Sequence, residues 1–327
     1  AYHAWGIECI HKFNGMFSFA LYDNRKKIIW LVRDRYGIKP LYYFLSEKNH
    51  LLFASEIKSI LEYLSDNRPQ VDLAALNEYF SFQNVLSGRT LFSDIQLLEP
   101  GHYLEVDLDK AAVSKNQYWD FDFSEELIAP QEELEEQLYH LLTQAVRRQC
   151  VSDVPIGSYL SGGLDSGSIT AITSSVFGRI STFTGGFDLS EALSHEMSFD
   201  ERELAEHLSS IFQTEHYECV LHSGDMEEIM QDLIWHLEDL RAGQCYPTYY
   251  VSRLAGHFVK VVMSGMGGDE LFGGYPWRYA AAMGSNNKMY TKNYYRYWQR
   301  LVANKEKQQI FNPDIVRHLE KMNINGA

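Results

Sequence analysis

The chain has 327 residues, of which 45% are apolar, 14% aromatic and 22% charged, and it carries a net charge of −15. That length and apolar content suit two globular domains with their own cores and exclude a disordered chain. No apolar run reaches the roughly 18 residues of a membrane span, and so acidic a chain has no electrostatic footprint for duplex nucleic acid.

The opening AYHAWGIECIHKF has neither a secretory pattern nor an initiator Met, so a cytoplasmic fragment is expected. The next hundred residues read as a β-rich block. Residues 16–22, 28–32, 41–45 and 51–54 are short apolar runs between turn residues, which predicts four strands. The segment 33–40, Arg-Asp-Arg-Tyr-Gly-Ile-Lys-Pro, is a loop marked by Gly37 and Pro40. A helix is expected over 57–64, and Asp72 is expected to cap another bearing Leu73, Leu76, Tyr79 and Phe80. Residues 101–106 and 117–123 are expected as closing strands. A boundary between Phe123 and Pro130 then divides the chain into domains 1–124 and 125–327.

The second domain opens on a helix with Leu134, Leu138, Leu141, Leu142, Ala145 and Val146 on one face. Strands expected at 154–160, 181–187, 217–221 and 259–263 alternate with helices at 167–176, 202–212, 226–237 and 247–257. That alternation predicts an α/β domain with a parallel, doubly wound sheet. Beyond Tyr279 the chain is aromatic and polar, and reads as helical packing rather than a base-stacking platform.

Two glycine-rich turns carry the chemistry. Ser161-Gly162-Gly163-Leu164-Asp165-Ser166 joins a strand to a helix, where open α/β sheets bind ligands. Its glycines allow close backbone approach, its amides and helix N-terminus favour an anion, and its serines can donate to phosphate. Asp165 would be repelled by phosphate and is better placed as a ligand to bridging Mg²⁺. No Gly-Lys-[Ser/Thr] closes the turn, so it is not a Walker A loop. Ser264-Gly265-Met266-Gly267-Gly268-Asp269-Glu270 repeats the design after another strand, followed by Leu271-Phe272-Gly273-Gly274-Tyr275. Asp165 and Asp269 are therefore expected at one edge of the sheet, sharing a hydrated metal ion.

The first turn resembles the pyrophosphate-binding loop of the ATP pyrophosphatases, and the second resembles a signature of glutamine-hydrolysing asparagine synthetases. Phe13–Ala20, the segment 33–43, the run Phe53-Ala54-Ser55-Glu56-Ile57-Lys58 and Leu98-Glu99-Pro100-Gly101 are similar to the later part of the glutaminase domain in that family, in the family's order. The resemblance implies a partial Ntn-type α+β glutaminase domain, then an ATP-pyrophosphatase domain incomplete at its C-terminus. It implies adenylation of aspartate by ATP with Mg²⁺, release of pyrophosphate, and amidation by ammonia from glutamine. By the same resemblance Leu160, Ser161, Gly162, Gly163, Asp165, Ser166, Gly185, Ser264 and Gly265 contact ATP, and Asp165 and Asp269 bind magnesium and are catalytic. The implied partners are small molecules, with no nucleic acid or membrane, and a homodimer is a possible assembly.

Three departures from the family pattern stand out. The nucleophilic N-terminal Cys has no counterpart, and Cys9 sits inside a match to the domain's middle, so these residues are not expected to hydrolyse glutamine. The family's later segment, with its catalytic Lys, is not matched. Met266 stands where many members have a Glu, which leaves open a different carboxylate as the acyl substrate. An inactive homologue acting as a binding subunit is a third reading, opposed by the intact Ser161, Asp165 and Asp269. Cys9, Cys150, Cys219 and Cys245 form no C-x-x-C pair and read as inert thiols. His195, His207, His216, His222, His236 and His257 show no metal-ligand spacing. Glu238, Asp239 and Arg241 resemble a substrate-proximal stretch of the family or form an exposed charge cluster.

Overall fold

The structure is a computed structural model that describes residues 1–321 apart from 47–49, 125–126, 190–199, 239, 241, 281–282, 284–286 and 300. It divides into two compact units. One comprises Ala1–Glu126, Glu238–Leu240 and Asn286–Ala327, and the other Leu127–Leu237 and Arg241–Ser285. None of the described helices is long and apolar enough to cross a membrane.

The first unit is built on two antiparallel sheets. After a short helix α1 (Tyr2–Trp5) and a 3-10 helix (Gly6–Lys12), strands β1 (Ser18–Asp23), β2 (Ile28–Arg33), β6 (His102–Asp107) and β7 (Ala112–Gln117) form one sheet in that order. Strands β4 (Leu51–Ala54), β3 (Tyr42–Leu45) and β5 (Ile95–Leu97) form the other. Leu31 and Leu104 from one sheet meet Leu41, Tyr43 and Leu98 from the other in a shared core. The outer face of the first sheet is covered by Cys9 and Ile10 against Trp30 and Val32. Helix α2 (Ile57–Tyr63) covers the second sheet through Ile57, Ile60 and Ile95. The expected strand over 117–123 lies instead at Ala112–Gln117. It is an outer strand with nearly every residue exposed, so it has no apolar alternation to betray it.

The loop over 33–40 is a buried polar knot. The Asp34 carboxylate accepts the backbone N–H groups of Phe17, Tyr36, Ile38 and Lys39 at 3.0–3.2 Å. The Arg33 guanidinium donates to the carbonyls of Gly37, Lys39 and Leu98. Both charges are thus satisfied where leaving them bare would be costly. Asp72 caps helix α3 (Leu73–Phe82) as expected, accepting from Ala74 and Ala75. Buried Lys307, on a short helix over Lys307–Ile310, donates to Asn77 Oδ1 at 2.8 Å and Ser81 Oγ at 2.5 Å on α3. With no carboxylate among these partners, burial pulls its ammonium down to about 8.

The second unit is the expected doubly wound domain. Helix α4 (Gln131–Gln149) leads into a parallel sheet ordered β10 (Glu215–Leu221), β9 (Ser181–Phe187), β8 (Ile156–Tyr159), β11 (Val261–Met263). On one face, Val146 and Cys150 of the α4 end and Ile172 of α5 (Leu164–Phe177) cover Ile156 and Met263. On the other, Ala255 of α8 (Ala242–Gly256) and Val259 cover Phe183. Helices α6 (Arg202–Phe212) and α7 (Asp225–Leu237) complete the crossovers.

Candidate functional site

Strands β8 and β11 are parallel neighbours, so the turns that follow them open at the same sheet edge. The first turn leaves β8 after the buried Leu160, whose carbonyl accepts the Thr184 hydroxyl and whose N–H donates to Phe183 O at 3.0 Å. Gly162 takes φ +82, a conformation that side-chain-bearing residues avoid, and a Cβ there would lie 2.6 Å from Leu204 Cβ on α6. Gly163 then caps α5, so the helix begins at Leu164 inside the motif and Asp165 sits in its first turn. Hydroxyls tie the turn together. Ser166 Oγ accepts Ser161 N–H at 3.1 Å and donates to Gly163 O at 3.1 Å, while Ser161 Oγ lies 3.1 Å from Ser166 Oγ.

The second turn lies directly on the first. A Cβ on Gly265 would overlap the Ser166 backbone, and one on Gly268 would overlap the Asp165 carboxylate. Gly267, at φ +107, starts the short helix α9 (Gly268–Phe272), and Gly273, at φ +68, ends it. The Asp269 N–H donates to Asp165 Oδ2 at 2.9 Å, joining the two motifs across 104 residues of sequence. The Asp269 carboxylate in turn accepts the Tyr275 hydroxyl, which holds that phenol above its ordinary pKa. The Arg278 guanidinium lies over the Tyr275 ring, 3.6 Å from its centroid.

The structure therefore brings together Ser161, Gly162, Gly163, Asp165, Ser166, Gly265 and Asp269. Ser264 joins them through its hydroxyl, which accepts Met266 N–H at 3.2 Å. Leu160 lies immediately behind the first turn. Gly185 lies within neighbouring β9, where a Cβ would meet Val251 at 2.7 Å. Met266 is 87% exposed beside the paired turns. Two carboxylates at an amide-rich turn fit Mg²⁺, an ion held by one or two carboxylates plus phosphate oxygens. Among the described residues no group of three or more His, Cys, Asp or Glu forms a metal cage, so phosphate would have to complete the ion's shell.

Other candidates fall elsewhere. Cys9 is 3% exposed within a core cluster, and among the described residues no disulfide joins the cysteines. His216 is half-buried on β10, its Nδ1 3.0 Å from Thr182 Oγ1, and partial burial lowers its pKa. His195, Asp239 and Arg241 lie outside the described residues. Glu238 belongs to the first unit, where its carboxylate accepts the N–H groups of Ile57 and Lys58, both at 2.6 Å. Two side chains at the turns were not singled out from sequence. Tyr275 closes the second motif by folding back on Asp269. Glu201, at the N-cap of α6, lies beside the first turn, its backbone oxygen 3.4 Å from where a Cβ on Gly162 would stand. The FGGY ending could have flagged the first, whereas nothing local marks the second.

Comparison with known proteins places these features in context. The family model for asparagine synthase matches residues 137–323, and that for a glutamine amidotransferase domain matches residues 1–119. A Methanocaldococcus jannaschii protein assigned as a glutamine-hydrolyzing asparagine synthetase is 34% identical over 279 residues, covering 84% of this chain and 52% of that protein. Asparagine synthetase (glutamine-hydrolyzing) 3 of Bacillus subtilis is 31% identical, covering 86% of this chain and 47% of its own. Amidase chyE of Penicillium rubens is 28% identical, covering 84% and 42%. The chain spans about half the length of the curated relatives it matches.

Proposed function

The chain belongs to the asparagine synthase family, and on that premise we propose that its second unit is the ATP-consuming part of a glutamine-dependent amidotransferase, a ligase that forms an amide. In this reading the β-carboxylate of aspartate attacks the α-phosphate of ATP. The bond to the β-phosphate breaks, β-aspartyl-AMP forms and pyrophosphate leaves. Ammonia from glutamine then attacks the acyl carbon, giving asparagine and AMP. The backbone amides from Ser161 to Ser166 receive the leaving pyrophosphate, with Ser161 and Ser166 as hydroxyl donors. Leu160, Gly185, Ser264 and Gly265 line the rest of the nucleotide. Asp165 and Asp269 would hold Mg²⁺, which supplies positive charge against the charge that develops on pyrophosphate.

The observation that carries this reading is the Asp269 amide on the Asp165 carboxylate. It supports reading this edge of the parallel sheet as both an anion cradle and a carboxylate pair. The test is pyrophosphate release by the protein given ATP, Mg²⁺, aspartate and ammonium, with asparagine as the product sought. No release with any carboxylate would sink the proposal.

A second reading keeps the adenylation and changes the acid. It is favoured by Met266, which is uncharged and exposed beside the turns, and which can neither move a proton nor hold a hard cation such as Mg²⁺. A panel of carboxylates in the same assay separates the two. Release with another acid and none with aspartate selects the second.

A further inference from the structure

A nucleotide with its pyrophosphate on the turn after β8 and its base at Gly185 of β9 must cross from one strand to its neighbour. The two strands are parallel, so the last residues of β9 open at the same sheet edge as that turn. The start of α6 stands at this crossing. Its first turn rests on Gly162 through Leu204 Cβ and the Ala205 amide nitrogen. Its first residue, Arg202, rests on Gly186, where a Cβ would lie 2.3 Å from Arg202 Nε and 2.4 Å from Cδ. The guanidinium is held in one orientation. Nε donates to Asp200 Oδ1 at 2.9 Å, and Nη2 donates to Asp200 Oδ2 at 2.5 Å and to the carbonyl of Phe187, the last residue of β9, at 3.1 Å. An arginine has five N–H groups to give, two of them on Nη1. Among the described residues no acceptor takes the Nη1 pair, and a quarter of the side chain stays open to solvent.

We propose that Arg202 binds the adenylate half of the nucleotide, giving its Nη1 N–H groups to the α-phosphate as the chain of phosphates passes from the first turn towards β9. The inference rests on the nucleotide-binding reading given above and adds a residue to it. Neither glycine-rich motif contains a Lys or Arg, whereas between them they carry Asp165, Asp269 and Glu270. Backbone amides serve the leaving pyrophosphate, but the α-phosphate keeps its charge after pyrophosphate has gone. A planar guanidinium with free N–H groups suits a phosphate oxygen, and one already braced on a carboxylate loses little freedom when it binds. Asp200 supplies that brace. It takes the Nε–Nη2 edge and leaves Nη1 over, and the Arg202 bonds hold its carboxyl below the usual carboxylate range. Gly186 completes the arrangement, because any side chain there would push the guanidinium off its seat.

Comparing two ligands separates this role from a structural one. A residue that merely braces α6 against the turn should affect AMP and pyrophosphate alike, whereas a contact to the α-phosphate should affect AMP alone. Binding of AMP and of inorganic pyrophosphate to the protein is measured by calorimetry in EDTA. Arg202→Gln is expected to weaken AMP about tenfold or more, the scale of a hydrogen bond to a charged group, and to leave pyrophosphate within about threefold. Gly186→Ala, which displaces the guanidinium without changing any charge, should give the same pattern. Arg202→Lys keeps the charge and loses the planar fork, so it should weaken AMP by about threefold, which keeps the test available if the Gln variant does not fold. Arg179→Gln removes an exposed arginine just before β9, at the opposite sheet edge, and should bind both ligands as the parent does. Unchanged AMP affinity in Arg202→Gln overturns the role. Equal losses of both ligands also overturn it, by reducing Arg202 to a brace, and a loss confined to pyrophosphate overturns it by placing Arg202 at the leaving group. If the parent binds neither ligand, the nucleotide reading of the turns falls and this role falls with it. If the parent binds both and the Arg202 variants keep AMP, only the role of Arg202 falls.

Discussion

The two glycine-rich turns share a design and differ in what supports them. The first opens onto α5, a helix of 14 residues with Ser166, Gly167, Thr170, Ile172 and Thr173 buried. Its hydroxyls close on its own backbone, and Ser158 Oγ on β8 meets Thr170 Oγ1 at 2.8 Å beneath it. The second opens onto a five-residue helix with no buried residue, held between two left-handed glycines. Its tie to the sheet side of the site is the Asp269 amide on Asp165. The first turn is thus a cradle anchored by its own packing, and the second is an overlay anchored on the first. The dependence runs one way. Damage to the first turn should disable both, whereas damage to the second should leave anion binding at the first.

The largest expected effect comes from the residue they share. Asp165→Asn removes the charge from one proposed metal ligand and weakens the charge-assisted hydrogen bond that seats α9, a bond worth about 1.5–3 kcal/mol. Pyrophosphate release should fall by on the order of 10³-fold or more, since an electrostatic group and the placement of a second are lost together. Release within tenfold of the parent would show that the carboxylates do not act as a pair.

The next effect tests the one-way dependence directly. Gly268→Ala puts a methyl group where the Asp165 carboxylate lies, so the second turn has to lift. Release should drop by on the order of 10²-fold, because displacing a catalytic group by about 1 Å has that order of cost. Pyrophosphate affinity in EDTA, read by calorimetry, should stay within about threefold. Equal losses of binding and turnover would break the contrast between cradle and overlay.

Much of this contrast was legible in the sequence. The strand-turn-helix grammar located both motifs, because apolar strands and positive-φ glycines are local signals. The helix boundary was read three residues late, since Gly163 caps α5 from within the motif rather than after it. The overlay of one turn on the other was legible only as a shared sheet edge. Its hydrogen bond joins residues 104 apart, and no local pattern encodes which amide meets which carboxylate. Glu201 was illegible for the same reason. It reads as one acid in a charged stretch until α6 places it beside Gly162. Glu238, open in the sequence between a substrate-proximal stretch and an exposed charge cluster, finds its partners Ile57 and Lys58 180 or more residues earlier, beyond any local pattern. The buried knot around Asp34 shows the reverse case, in which a charged string in a loop proves to be packing.

A smaller effect concerns how the overlay presents its acid. Tyr275 donates its hydroxyl to Asp269 while Arg278 stacks on its ring. Tyr275→Phe keeps the ring and the stacking and loses the donor. The Mg²⁺ concentration for half-maximal release should rise about three- to tenfold, the scale of one hydrogen bond to a charged group. Mn²⁺ binding followed by electron paramagnetic resonance, with pyrophosphate present, should weaken by the same factor. An unchanged metal requirement would reduce Tyr275 to a packing residue beneath Arg278.

The smallest effect bears on the acid that is activated. Met266 lies between two glycines of the overlay, with its N–H on Ser264 Oγ and its side chain 87% exposed. Met266→Glu at so open a position should change stability by no more than about 0.5 kcal/mol. What it changes is charge beside the paired turns. A carboxylate there attracts an acyl substrate that bears an ammonium group and repels one that bears only carboxylates. The ratio of kcat/KM for aspartate to that for succinate, which lacks the ammonium, should therefore rise about three- to fivefold, the size of an exposed ion pair. The KM for ATP should hold, because the turn proposed to bind phosphate is the other one. A shift in ATP KM with no change in the aspartate-to-succinate ratio would place Met266 at the nucleotide and assign acid selection to another part of the site.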